Sequence, residues 1–122
     1  MLPFKTQICI ACDAAKLCVA RVAELEAPKF ENTENTLDEL ITRIDRTVSW
    51  LQGVSPTALD GLEAKAITFP VGKLGTRTLS GEDYVKTWAL PNVFFHITTA
   101  YAILRHNGVV LGKSDFLNGA AA

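Results

Sequence analysis

Residues 84–106, YVKTWALPNVFFHITTAYAILRH, constrain this chain more than any other stretch. They carry five of the ten aromatic residues and both histidines, and their only formal charges besides histidine are Lys86 and Arg105. A helix of that composition has no face suited to water, so the expected arrangement makes it the central element of the core. Its polar side chains include Asn92, His96, Thr98, Thr99 and Tyr101. Each costs on the order of 1–3 kcal/mol if buried without a hydrogen-bond partner, which marks them as candidates for a functional site.

A chain of 122 residues that is 48% hydrophobic and 20% charged fits one globular domain, taken here as 1–122. A net charge of −1 offers phosphate backbones or anionic lipid no long-range attraction, so nucleic acid and membrane are not expected partners. No apolar run free of charge reaches the roughly 18 residues of a spanning helix. The start, MLPFKTQICIACDAAK, has Lys5 and then Asp13 in its apolar region, a poor signal peptide. Three cysteines, Cys9, Cys12 and Cys18, are an odd and crowded set rather than a disulfide framework. A reduced, cytoplasmic protein is the expectation.

From Pro3 to about Glu26 the apolar residues Ile8, Ala11, Cys12, Ala15, Cys18, Val19, Val22 and Leu25 recur at helical spacing, with Lys5, Asp13, Lys16 and Glu24 largely on other faces. Pro28 suits a stop. Thr36 to Glu39 reads as a capping box opening a second helix, whose stripe is Leu37, Leu40, Ile41, Ile44, Val48 and Leu51. Ser55-Pro56 fits the start of one short turn. The run AITFPVGKLGTRTLS, centred on Gly72 to Gly75, predicts a small hairpin at an edge. Ser80 to Asp83 caps a third long helix, which ends at Asn107-Gly108 and contains Pro91, so a kink or broken turn is expected between Trp88 and Asn92. In the tail, Val109, Leu111 and Phe116 are expected to pack back on the bundle.

The run WALPNVFFHITTAYAILRHNG (88–108), with LGKSDFL (111–117), resembles a bacterial and fungal family known as a domain of unknown function. That family belongs to the DinB/YfiT-like superfamily of four-helix bundles. LPFKTQICIACDAAK is similar to the start of the family's second helix, and the likeness extends over essentially the whole chain. It implies an all-α, DinB-like up-down bundle, here with three long helices and a small β-hairpin before the last. Family members generally carry a further helix upstream, so the chain is expected to be truncated at its amino terminus. The three helices would then leave an apolar groove, closed by a homodimer or a helix-exchanged oligomer.

The resemblance further implies a divalent metal held by three histidines, one on the second family helix and a His-x-x-x-His pair on the last. Here the pair reads His96 and Ala100, and the second helix offers Gln7. One strong donor does not make a three-ligand site, so no metal or other cofactor is expected. His106 lies about 15 Å along the helix from His96 and suits the helix C-terminus, where a cation meets the dipole. His96 reads either as a core histidine bonded to a carbonyl or to Asn92, or as a catalytic acid or base in a ligand pocket. Gln7, Asp13, Asn92 and Tyr101 are the accompanying pocket candidates. Cys9 and Cys12 lie within a helix and read as small packing residues. Two functions stay open. One is a small-molecule pocket near His96, with superfamily analogy pointing to a transferase or isomerase. The other is a noncatalytic oligomeric or helix-binding module.

Overall fold

The structure, a computed structural model, describes residues 1–119. Three long helices and a hairpin make up the chain: α1 (Phe4–Ala23), α2 (Leu37–Gln52), β1 (Ala66–Pro70), β2 (Thr76–Ser80) and α3 (81–106), followed by a short α4 (Lys113–Asn118). The expected capping box is present, since Glu39 N donates to Thr36 Oγ1 and Thr36 N donates back to Glu39 Oε2. Ser80 caps α3 by accepting from Asp83 N at 3.1 Å.

Pro91 shapes α3 as its chemistry requires. It supplies no N–H and crowds the preceding turn, and the helix widens to a π-helical segment at Tyr84–Ala89, with Leu90 N donating to Val85 O. The expected broken turn is therefore a wide one, lying just before the proline.

Segment 24–36 doubles back along α1. Lys16 Nζ donates to the Pro28 carbonyl at 2.9 Å, and Cys9 Sγ lies 3.7 Å from Glu34 Oε2. As a result α2 starts beside the N-terminal half of α1 and runs parallel to it. α3 is antiparallel to α1, with Gln7 meeting His96 and Arg21 meeting Tyr84.

The best-formed core sits at the hairpin end. Ile67 and Phe69 of β1 are buried against Cys18 and Val22 of α1 and Tyr84 and Ala89 of α3. Phe69 packs on the rings of Tyr84 and Trp88 at 4.8 and 5.1 Å. The hairpin is thus a core element rather than an edge ornament, because its alternation places both large side chains on the helix-facing side.

α3 departs from its expected place at the centre. Beyond Gly81 at its start, its buried residues form a narrow strip of Tyr84, Ala89, His96 and Ala100, while Phe94 and Phe95 are 52% and 63% exposed. The reason is topological: α3 packs along α1 and has little contact with α2.

Gly81 joins the hairpin to α3, and its N–H donates to Lys65 O at 2.7 Å. A Cβ there would meet the Leu62 carbonyl oxygen at 2.1 Å. Gly81→Ala is accordingly expected to cost about 1–3 kcal/mol through forced backbone movement, measured by urea unfolding. Wild-type stability in that variant would show that the junction yields freely.

Candidate functional site

Gln7 and His96 come together from opposite ends of the sequence. His96 Nδ1 lies 2.6 Å from Gln7 Oε1, and Gln7 Nε2 donates to the Leu2 carbonyl at 3.1 Å. That second bond orients the amide, so its oxygen accepts a hydrogen bond from Nδ1–H and the lone pair of the ring remains on Nε2. Gln7 is 2% exposed and His96 9%. Burial holds the His96 imidazole below the ordinary histidine range, favouring its neutral form. The ring's partner is therefore Gln7, not Asn92, a pairing that needs the antiparallel packing of α1 on α3.

The other candidates lie apart from this pair. Asp13 Oδ1 accepts from both Lys16 Nζ and Arg43 Nη2, each at 3.1 Å. Tyr101 meets Phe116 of α4 edge-on at 6.3 Å between ring centres. Asn92 shares a cleft of about 200 Å³ with Asp13, Arg21, Tyr84 and Trp88. An apolar groove of about 320 Å³ runs past His96, lined by its neighbours Val93, Ile97 and Ala100 together with Ile8, Ala15 and Val48 among others.

A buried ionic cluster joins α1, segment 24–36 and α2. Arg43 Nη1 pairs with Glu34 Oε1 at 2.9 Å and also donates to the Glu31 carbonyl, while Lys16 Nζ stands 3.7 Å over the Phe30 ring. Lys16 and Arg43 are 3% and 2% exposed, against the expectation that Lys16 lies on an outer face. Burial opposes ionisation of Glu34, but the Arg43 hydrogen bond and charge outweigh it and keep the carboxyl below its usual range. Burial, only partly relieved by Arg43, pushes the Cys9 thiol up, so it is no nucleophile near neutrality. Periodicity alone gives no signal for this cluster.

The arrangement can orient a neutral imidazole and fasten a connecting segment. It does not suit a three-histidine ion: Gln7 Oε1 is engaged by His96, and Ala100 offers no donor. Among the described residues no three His, Cys, Asp or Glu side chains gather as a metal site.

A family described as a domain of unknown function, DUF1993, matches residues 1–117. The chain belongs to the DUF1993 family. A crystal structure of a DinB family member from Shewanella denitrificans is similar to it, with a TM-score of 0.83 and 41% identity. The match covers 96% of this chain and 66% of that one, so the present chain spans less than two thirds of its relative. No curated protein matches. The DUF1993 chain is thus a DinB-like helical protein, and among its described residues no helix is long and apolar enough to cross a membrane.

Two outcomes follow. Arg43→Ala leaves Glu34 without its partner and is expected to cost roughly 3 kcal/mol, with the double variant Arg43→Met/Glu34→Met, which removes both charges, closer to wild type, by urea unfolding; equal stability of all three proteins would show the cluster to be idle. For His96, the unfolded chain takes up a proton near its ordinary pKa while the folded chain resists it, so stability contributed by the neutral ring is lost as pH falls. The drop in urea midpoint between about pH 7.5 and 5.5 is expected to be smaller in His96→Gln than in wild type, and identical drops would remove the imidazole from this account.

Proposed function

We propose that this DUF1993 chain is a noncatalytic interaction module in which the open corner of the bundle is closed by a second copy of the chain. The carrying observation is a pair of exposed apolar seams flanking one groove. On α2, Leu37, Ile41, Ile44, Val48 and Leu51 follow alternating spacings of four and three, and Leu37 and Ile41 are 64% and 54% exposed. On α3, Leu90, Phe94, Ile97, Tyr101 and Leu104 repeat the same spacing, the first three of them exposed. That is the repeat by which one helix accepts the side chains of another. The floor between the seams includes Ala11, Cys12 and Ala15 of α1, small enough for a backbone to come close.

A second copy is the occupant that this chain itself provides, because each seam finds in its twin the apolar partner that it lacks, under the twofold symmetry common among oligomers. The reading in which His96 heads a small-molecule pocket, with transferase or isomerase chemistry by analogy, has less support. The apolar groove beside it is lined by Val93, Ile97 and Ala100, and its Nδ1 is committed to Gln7. Three buried free cysteines suit a reducing compartment, and the cytoplasm is the proposed location.

Light scattering coupled to size-exclusion chromatography tests the reading. Wild type is expected at twice the chain mass. Ile44→Asp and Ile97→Asp, on opposite walls, are expected to weaken association about 100-fold by burying an unpaired charge, with helical circular dichroism retained. His96→Gln is expected to stay dimeric. A wild-type monomer at high micromolar concentration refutes self-association, and its capture of an added amphipathic peptide would assign the groove to another protein's helix.

A further inference from the structure

The flank of α1 turned away from the apolar groove carries a second, chemically different cleft. Leu17 and Arg21 of α1 face Tyr84, Trp88 and Asn92 of α3 there, around a space of about 200 Å³ that Asp13 also lines. The wide π-helical turn at Tyr84–Ala89 supplies the α3 wall, and wide turns of this kind recur at functional sites.

Charge decides what such a cleft would hold. Asp13 is neutralised by Lys16 and Arg43. Arg21 is partly buried and has no carboxylate within ion-pair distance among the described residues. Its Nη1 donates to Tyr84 Oη at 3.2 Å, and that hydroxyl donates to the Leu17 carbonyl. The phenol fixes one N–H of the guanidinium and the Phe69 ring lies 5.8 Å from its centre, while among the described residues no hydrogen-bond partner takes its other N–H groups. Asn92 adds an amide and Trp88 an indole to the same cleft, while Leu17 and Ile10 supply apolar wall.

We propose that this cleft binds a small carboxylate with an apolar body, its carboxylate on Arg21 and its body against Leu17 and Trp88. A planar carboxylate matches the guanidinium fork, where paired hydrogen bonds form. The volume lies below the roughly 300–1,000 Å³ of sites for drug-sized ligands, so the ligand is fragment-sized. The site is independent of the dimer face, since Ile10, Leu17 and Arg21 project from the side of α1 opposite to Ile8, Ala11 and Ala15.

Tryptophan fluorescence provides the test. The chain has two tryptophans, so a Trp50→Phe background leaves Trp88 as the reporter. Titration with 4-methylpentanoate and with benzoate is expected to give saturable changes in the millimolar range or below. Inorganic phosphate and the neutral isostere benzamide are expected to bind at least tenfold more weakly, as are the carboxylates to Arg21→Gln. Asn92→Leu, which leaves the Arg21–Tyr84 contact in place, is expected to weaken binding several-fold and decides the matter should Arg21→Gln fail to fold. Absence of saturation with both carboxylates, equal binding of phosphate, or unchanged affinity in a folded Arg21→Gln or Asn92→Leu protein would each overturn the assignment.

Discussion

Every long element of this protein is held through α1. α2 and α3 each pack along it and have little contact with one another. The buried apolar residues of α1 are mostly small, Cys9, Ala11, Cys12, Cys18 and Ala20 with Val22, so close helix approach rather than bulky interdigitation sets its packing. Polar fastenings are spaced along the same helix: Gln7 to His96 near one end, Asp13 and Lys16 to Arg43 and segment 24–36 in the middle, Arg21 to Tyr84 near the other. Buried pairs of this kind gain little net energy but penalise any register that leaves them unmatched.

From that hub follows an uneven molecule. At the hairpin end Phe69 and Tyr84 fill the angle between α1 and α3, and the interior is closed. Toward the middle and far end no such plug exists among the described residues, and Ile41, Ile44, Val48, Phe94 and Ile97 remain exposed around a groove whose floor is α1. Apolar surface gathered along two helical seams has a physical meaning that scattered exposed residues lack. It is this organisation that favours a partner of the same repeat over a diffusible polar substrate.

Local chemistry made much of this legible in the sequence. Thr36 with Glu39, Ser80 with Asp83, the glycines around Lys73 and Leu74, and Pro91 each announce a feature through their own backbone preferences, and each feature is present. What depends on distant residues was harder to read. His96 and Gln7 were both marked as site residues, yet their pairing required the antiparallel register of α1 and α3. Lys16 was expected on an outer face, because nothing in a periodic pattern shows that segment 24–36 folds back over it and brings Glu34 to Arg43. The apolar character of 84–106 was read as centrality, although a helix with one principal neighbour buries only one strip.

The central claim, that the α2 and α3 seams close against a second copy, is tested most directly by hydrogen–deuterium exchange at protein concentrations well below and well above the association midpoint. The account predicts added protection at high concentration confined to the helical backbone around 37–51 and 90–104, with the hairpin at 66–80 unchanged. Equal exchange across α2 and α3 at both concentrations, or protection appearing at the hairpin instead, would contradict it.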